Sequence, residues 1–187
     1  MRKKYILFPA AFAALTAMAQ TTHPWMDTSK SFRERAELLC KELTLREKVD
    51  QLGNNVSEPI KRNGEVILPS YQYWNEALHG VARSGAATSF PESKGMSATW
   101  DEMLVRACAE AISDEARIYH ETKGKGLNYW SPTINMSRDP RWGREEENYG
   151  EDPLLAGRLA VEFIKGFQGE ITPTTPYYKL VACAKHF

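Results

Sequence analysis

Apolar residues recur at helical spacing in four stretches of this chain, and the spacing predicts four helices. Each stretch opens on a residue type that caps helices, the four candidates being Ser31, Thr44, Thr99 and Asp152. The first three have a glutamate three residues later, which forms a capping box, and the fourth is followed by a proline suited to the first helical position. The predicted helices cover residues 31–43, 44–52, 99–120 and 152–168.

Three apolar runs alternate with the later helices and predict β-strands. The first run ends within residues 71–81, the second covers residues 127–136, and the third begins at Lys179 with the buried run 180–184. Strands this apolar are not expected to face water, so the order β-α-β-α-β predicts parallel strands covered by helices. The expected fold class is therefore α/β.

Polar residues fall at the end of each predicted strand. They are Asn75, Glu76 and His79 after the first strand, residues 138–144 after the second, and Lys185 with His186 after the third. Parallel strands end at a common edge, so these side chains are expected to share one face. A (β/α)8 barrel and an open doubly wound sheet both place their sites there, and the pattern leaves both folds open. No glycine-rich loop follows a strand, which disfavours nucleotide binding.

Residues 1–19 have the pattern of a secretory signal peptide. Three basic residues precede an apolar run that is too short to span a membrane, and Ala17-Met18-Ala19 forms a small-x-small cleavage site. No cysteine follows that site, so no lipid anchor is expected. We expect a secreted or periplasmic protein cleaved near Ala19, with residues 20–30 as a loose lead-in.

Composition excludes several classes of partner. The chain has 24 basic and 24 acidic residues, so no charge excess favours nucleic acid or an anionic membrane surface. Cys40, Cys108 and Cys183 are odd in number and far apart among apolar neighbours, which predicts buried free thiols. The histidines lack the spacing of metal ligands, and no metal or cofactor is expected. The sequence does not indicate an oligomeric state.

The segment 135–152 concentrates candidate chemistry. It holds three arginines, several carboxylates and two aromatic rings between a predicted strand and a helix. Guanidinium and carboxylate groups beside flat aromatic faces suit a ligand rich in hydroxyl groups. Some of Arg138, Arg141 and Arg144 are expected to tie the loop to itself, since an unpaired buried guanidinium is costly, and Glu147 is placed to hold Arg144.

The other candidates each have two interpretations. Glu76, close to Trp74, is a hydrogen-bonding partner for sugar hydroxyls or an acid that pairs with a nearby arginine. His79 is expected to be a satisfied core residue. Lys185 and His186 either contact a ligand or reach solvent at a strand end, and three polar strand ends at one edge favour the ligand.

Several segments resemble glycoside hydrolase family 3 in order and spacing. They cover roughly residues 31–187 and include Tyr73-Trp74-Asn75-Glu76-Ala77-Leu78-His79-Gly80, Ser131-Pro132-Thr133-Ile134-Asn135, Arg138-Asp139-Pro140-Arg141-Trp142-Gly143-Arg144, Tyr149-Gly150-Glu151-Asp152-Pro153 and Lys185-His186-Phe187. Several motifs in the family's order are more specific than any one of them alone. The resemblance implies the N-terminal part of a (β/α)8 barrel, followed in the family by an α/β sandwich. Because three strands cannot close a barrel, we expect residues 31–187 to be a truncated domain of a longer protein.

The resemblance also implies a retaining exo-β-glycosidase that acts on oligosaccharides. Residues at the positions of Glu76, Arg144, Lys185 and His186 bind the terminal sugar in the family. Arg138 belongs to the same motif as Arg144 and is a further candidate for binding substrate. The family's nucleophile and acid/base lie beyond residue 187, so no catalytic residue is assigned here.

The form Asn-Glu-Ala-Leu-His-Gly, with Glu76, resembles the β-xylosidase branch, since many glucose-preferring members carry aspartate there. The longer glutamate would occupy the room that the glucose hydroxymethyl group needs, so a preference for terminal xylose is expected. The alternatives are a β-glucosidase of the same family and a catalytically inactive sugar-binding fragment.

Overall fold

The computed structural model describes residues 23–53 and 55–186. The predicted signal peptide, residues 1–19, lies outside the described residues. The chain divides between Leu45 and Arg46 into two compact units, which we describe separately.

The first unit contains a short 3-10 helix, Pro24–Met26, and helix α1, Phe32–Glu42. The predicted capping box of α1 is present, because Ser31 Oγ accepts from Glu34 N and the glutamate carboxylate accepts from Ser31 N. Trp25 is buried, its ring stacks on His23 at 4.4 Å between centroids, and its carbonyl accepts from Arg35 Nε at 2.7 Å. The predicted lead-in is therefore ordered at residues 24–26, where a proline presets the backbone of the turn.

Two small antiparallel ribbons occupy the segment that the sequence left without elements. Helix α2, Leu45–Asp50, precedes them. Strands β2, Ile60–Arg62, and β3, Glu65–Leu68, form a hairpin, and β1, Val56–Ser57, pairs with β4, Tyr71–Gln72. The hairpin turns at Asn63-Gly64, both with positive φ, which is the sequence that this turn geometry favours. The predicted strand within residues 71–81 is assigned only at β4, and its partner is antiparallel rather than parallel.

Helices α3, Ser93–Ser97, α4, Glu102–Lys123, and α5, Pro153–Gln168, complete the helical layer. The predicted cap of α4 is wrong: Asp101, not Thr99, accepts from Leu104 N at 3.0 Å, while the threonine hydroxyl donates to Met96 O. The α5 cap is confirmed, since Asp152 Oδ1 accepts from Leu154 N and Leu155 N.

The helices α4 and α5 pack against each other around a closely packed core. Phe163 and Phe167 are fully buried and stack at 5.4 Å, and Phe167 meets the buried ring of Tyr129 edge-on at 5.5 Å. At Gly166 the helices approach so closely that a β-carbon would lie 2.4 Å from Arg106 O. Only glycine fits a contact of that kind, so this residue sets how closely the helices approach.

The parallel strands that the sequence predicts are present in shortened form. Strand β5, Asn128–Tyr129, pairs in parallel with β6, Val181–Ala182, and the pairing continues as a bridge between Thr133 and Lys185. Residues 73–77 run beside β5 in the same direction, with Trp130 N donating to Asn75 O at 2.8 Å. The three segments therefore lie side by side in chain order.

The prediction that residues 180–184 form a fully buried strand is wrong. Leu180 is buried, but Val181, Cys183 and Ala184 are exposed, because among the described residues no further strand covers their side of the sheet. The prediction of buried thiols is wrong for Cys183 and for Cys40 on helix α1, because both are exposed. Of the three cysteines, only Cys108 is buried. All three cysteines are free, as predicted.

Within residues 23–53 and 55–186 no helix is both long enough and apolar enough to span a bilayer.

Candidate functional site

Four of the predicted site residues come together at the carboxyl ends of the three neighbouring segments. Glu76 lies near the end of the segment 73–77, Arg144 lies in the loop that follows β5, and Lys185 with His186 follows β6. With Glu147 they form one group of charges, which we call the polar cluster. The sequence prediction that these distant positions share one edge of the sheet is confirmed.

Lys185 is the most buried member of the polar cluster, with 9% of its side chain exposed. Its backbone is fixed by hydrogen bonds to Pro132 O and from Ile134 N, and the Lys185–His186 peptide bond is cis. Its ammonium lies 3.9 Å from Glu76 Oε1. Burial lowers the pKa of Lys185, the Glu76 carboxylate opposes that shift, and the charge of Arg144 adds to it.

Glu76 lies between that ammonium and an aromatic ring. Trp74 Nε1 donates to its Oε1 at 3.3 Å, and the guanidinium of Arg83 lies 5.0 Å above the same ring. Arg83 Nε is 3.6 Å from Glu76 Oε2, an ion pair longer than a hydrogen bond. The interpretation that Glu76 only pairs with an arginine is therefore incomplete, because the carboxylate faces Lys185 as well.

Arg144 is held by Glu147, as the sequence predicts. The two N–H donors at Nε and Nη2 meet the two carboxylate oxygens at 2.6 and 2.5 Å. This bidentate contact holds the pKa of Glu147 below its usual range and raises that of Arg144. The third nitrogen, Nη1, is 3.1 Å from His186 Nε2 and so connects the loop to the end of β6.

His186 is fixed by Asn135 on its other side. Asn135 Oδ1 accepts from His186 N at 3.0 Å and lies 2.8 Å from Nδ1. Since an amide oxygen only accepts, the proton sits on Nδ1 and Nε2 accepts from Arg144. Desolvation lowers the pKa of His186, and the charges of Arg144 and Lys185 add to the effect, so the neutral form of the ring is favoured.

This arrangement predicts how His186 titrates. Replacing Arg144 with glutamine in the intact protein is expected to raise the pKa of His186, because one of the charges that disfavour protonation is removed. In the wild-type protein the folded-state pKa of His186 lies below the unfolded value of 6.5, so the folded state binds fewer protons than the unfolded state. The free energy of unfolding of the wild-type protein should therefore fall as the pH drops below 6.5. An NMR titration of the histidine Cε1 protons measures the shift.

Arg158→Gln is the matched control for the titration. Arg158 pairs with Glu102 on the helical layer at 2.6 Å, outside the polar cluster, and its loss should leave the pKa of His186 unchanged. An unaltered His186 titration in Arg144→Gln would contradict the geometry described here.

A second set of polar residues supports the loop that carries Arg144 and Glu147. The sequence did not predict this set. Lys94 Nζ on α3 donates to Glu145 Oε2 at 2.7 Å and to Ser137 Oγ at 2.9 Å, and Ser137 donates in turn to the buried Asn148 at 2.7 Å. Glu145 opens the 3-10 helix Glu145–Glu147, so these contacts also position Glu147. No spacing rule pairs Lys94 with a residue so far along the chain.

The remaining candidates make no hydrogen bond or ion pair with the polar cluster within the described residues. Arg138 is exposed and lines an open cavity together with Asn135 and Trp142. Arg141 closes a bidentate pair with Asp139 at 2.9 and 2.6 Å, which ties the loop to itself as expected for one of the arginines. His79 is satisfied at both nitrogens, with Phe90 O at 2.8 Å and Glu92 Oε1 at 2.9 Å.

The described residues hold no group of three or more histidine, cysteine or acidic side chains arranged to ligate a metal ion. The polar cluster instead offers a carboxylate, an ammonium, a guanidinium and a neutral imidazole around one edge of the sheet. Such a set donates to and accepts from several hydroxyl groups at once, which is the chemistry of a polyhydroxylated ligand.

Comparison with known proteins agrees with this chemistry. Residues 38–187 match the glycosyl hydrolase family 3 N-terminal domain. The chain is 42% identical over 174 residues to an exo-1,4-β-xylosidase of Emericella nidulans, and the match covers 87% of this chain and 22% of that protein. It is 39% identical over 197 residues to a xylan 1,4-β-xylosidase of Xylanibacter ruminicola, covering 100% of this chain and 22% of the relative.

Among solved structures, a family 3 exo-β-xylosidase in complex with a xylobiose aziridine activity-based probe superposes with a TM-score of 0.75. It is 36% identical, and the match covers 89% of this chain and 22% of that one. The chain thus spans about a fifth of the length of the relatives that it matches.

Proposed function

This chain belongs to glycosyl hydrolase family 3, and we propose that it is the N-terminal part of a retaining exo-β-xylosidase. The intact protein would hydrolyse O-glycosyl bonds and release terminal β-linked xylose from the non-reducing ends of plant-type oligosaccharides. The observation that carries the proposal is the convergence of Glu76, Arg144, Lys185 and His186 at one edge of a parallel sheet. The relatives named as xylosidases support the same substrate.

We place the chain in the first part of a (β/α)8 barrel. Three adjacent segments in chain order, helices α4 and α5 after the first two, and polar residues at the carboxyl ends support that architecture. The rest of the barrel and a second domain would follow residue 187.

The residues of the polar cluster would divide the hydroxyl groups of one sugar between them. Glu76 accepts from a hydroxyl while Lys185 donates to the same or the adjacent oxygen. Arg144 would bind the opposite side of the ring through the N–H groups that Glu147 leaves free, and a sugar hydroxyl would donate to His186 Nε2 in place of Arg144 Nη1. Arg138 makes no hydrogen bond or ion pair with this group within the described residues, and we assign it no hydroxyl of this sugar.

Bond cleavage would use groups outside this chain. A retaining mechanism needs two carboxyl groups about 5–5.5 Å apart, one as nucleophile and one as acid/base. Glu76 is not assigned either role, because its carboxylate pairs with Lys185 and Arg83 and is suited to grip hydroxyls. We therefore propose that residues 1–187 alone bind sugar without hydrolysing it.

The preference for xylose is tested by kinetics on two substrates that differ only at C5. The intact protein is expected to have a higher kcat/KM on an aryl β-xyloside than on the matching β-glucoside. Glu76→Asp, which shortens the side chain by one methylene, should raise the glucoside-to-xyloside ratio by about 10-fold or more, the scale of one methylene in a specificity pocket.

Three results would redirect the proposal. A higher kcat/KM on the glucoside would make the protein a β-glucosidase of the same family. Sugar binding without turnover by the intact protein would make it an inactive binding protein, and turnover by residues 1–187 alone would contradict the assignment of the catalytic groups.

We also propose that the protein is secreted or periplasmic, on the basis of the signal-peptide pattern in residues 1–19. Mass spectrometry of the exported protein should find an N-terminus at Gln20. An intact Met1 on the exported protein would exclude cleavage at Ala19.

A further inference from the structure

The loop that follows the segment 73–77 folds back and brings an arginine to Glu76. A backbone hydrogen bond from Ala82 N to Glu76 O, 2.9 Å long, closes the turn, and Arg83 is the next residue. Arg83 has a φ of +60°. A residue other than glycine adopts this conformation at a cost in free energy, and such residues are frequent at functional sites. Arg83 is therefore a candidate for a role at the polar cluster, although its sequence context did not single it out.

Helix α4 fixes the loop that carries Arg83. Three side chains of this helix, four residues apart and thus on one face, make hydrogen bonds to residues 84–88. The contacts are those of Lys123 Nζ with Ser84 O at 2.8 Å, of Tyr119 OH with Ala86 O, and of the Glu115 carboxylate with Thr88 N at 3.0 Å and Thr88 Oγ1 at 2.6 Å. Because the loop is attached at three points, its backbone holds Arg83 beside Glu76 without relying on the arginine side chain alone.

The side chain of Arg83 contacts both the carboxylate of Glu76 and the ring of Trp74. Its Nε lies 3.6 Å from Glu76 Oε2, and its guanidinium lies 5.0 Å from the centroid of the indole ring. The other carboxylate oxygen, Oε1, accepts from Trp74 Nε1 at 3.3 Å and lies 3.9 Å from the ammonium of Lys185. The two oxygens of Glu76 thus face two cations from different segments, which favours a single orientation of the carboxylate.

We propose that Arg83 is a positioning residue, which holds Glu76 and Trp74 in the orientation that binds the terminal sugar. The inference rests on the proposed function, in which the Glu76 carboxylate accepts from a hydroxyl and occupies the room that a glucose hydroxymethyl group needs. Without Arg83, the carboxylate would be free to turn toward Lys185. That turn would weaken its contact with the hydroxyl and open the room for the hydroxymethyl group.

Kinetics on two glycosides test this role in the intact protein. Arg83→Ala should lower kcat/KM on an aryl β-xyloside by about 5-fold, the scale of an exposed ion pair together with a cation–π contact, and should raise the glucoside-to-xyloside ratio. Arg83→Lys keeps the charge but loses the planar group over Trp74, so its values should lie between those of Arg83→Ala and wild type. Arg158→Ala is the matched control, because Arg158 is an equally exposed arginine in an ion pair on α5, and it should change neither quantity.

A double-mutant cycle separates positioning of Glu76 from general support of the loop. In a Glu76→Gln background, Arg83→Ala should change kcat/KM by less than about 2-fold, because the neutral amide offers no charge for the arginine to orient. An arginine that only stabilises the loop would lower kcat/KM equally in both backgrounds, and this result would overturn the proposal. An Arg83→Ala protein with the kcat/KM and glycoside ratio of the wild type would overturn it as well.

Fluorine NMR tests the positioning without any turnover. In the intact protein labelled with 5-fluorotryptophan, the Trp74 resonance is assigned by its loss in Trp74→Phe. It should shift in Arg83→Ala and keep its position in Arg158→Ala, and an unshifted resonance in Arg83→Ala would refute the positioning role. Failure of the proposed function is seen separately, as wild-type protein that hydrolyses neither glycoside, and the fluorine spectrum still decides the role of Arg83 in that case.

Discussion

Replacing Arg144 with alanine in the intact protein is expected to lower kcat/KM on an aryl β-xyloside by about 10- to 150-fold. Loss of a hydrogen bond from a charged group costs about 1.5–3 kcal/mol, and each 1.36 kcal/mol of transition-state binding is tenfold in rate. The side chain also supplies the partner of Glu147 and of His186 Nε2. Steady-state kinetics on the purified variant measures the effect.

Two further variants separate sugar binding from loop structure. Arg144→Lys keeps the positive charge but cannot make the bidentate contact with Glu147, so its kcat/KM should lie between those of wild type and Arg144→Ala. Arg158→Ala removes an exposed ion pair on α5 and should leave kcat/KM unchanged. An Arg144→Ala protein with wild-type kcat/KM and reduced thermal stability would show that Arg144 serves only the loop.

Replacing Phe163 with alanine is expected to destabilise the helical layer by about 3–5 kcal/mol, since truncating a buried aromatic ring removes its burial and leaves a cavity. Phe163 is fully buried and stacks on Phe167, which packs on Tyr129 in strand β5. The loss should therefore reach the sheet. Hydrogen exchange of peptides from α5 and β5, followed by mass spectrometry in the intact protein, reports both regions.

Val161→Ala is the control on the same helix. Half of the Val161 side chain is exposed, so its truncation should change stability by no more than about 0.5 kcal/mol. If the two variants show the same exchange in α5 and β5, the aromatic stack does not support the sheet.

The helices were largely predictable because their information is local. Ser31, Asp152 and the apolar stripe of α5 act within one or two helical turns, and all three predictions are confirmed. The Thr99 cap failed by two positions because Asp101 competes for the same donors and is the better-placed acceptor. The buried face of α4 includes Val105 and Ala109, which lie four residues apart on the same side of the helix.

The strands were less predictable because their length depends on neighbours. An apolar run indicates that a strand is possible, but pairing and burial are decided by segments distant in the chain. Residues 180–184 illustrate this, since only Leu180 is covered by described neighbours. The β2–β3 hairpin was missed although Asn63-Gly64 was visible, because the flanking residues do not alternate cleanly.

The sequence predicted which residues form the candidate site, but it did not predict which residues hold them in position. The positions of Glu76, Arg144, Lys185 and His186 at strand ends, together with the family motifs, placed them at one edge of the sheet. Asn135, Lys94 and Ser137 support that group through contacts between segments with no shared pattern. Arg138 belongs to the same motif as Arg144, yet it is exposed and lines a cavity instead of pairing within the group.

The contact at Gly166 carries a consequence for how this protein tolerates change. Where side chains separate two helices, a new rotamer absorbs a small insertion, but here main chain meets main chain and nothing soft lies between. Even the single methyl group of alanine would act as a wedge. Codon 166 should thus accumulate almost no accepted variation, and a laboratory that evolves this protein toward new substrates has no freedom there, although the glycine touches no sugar.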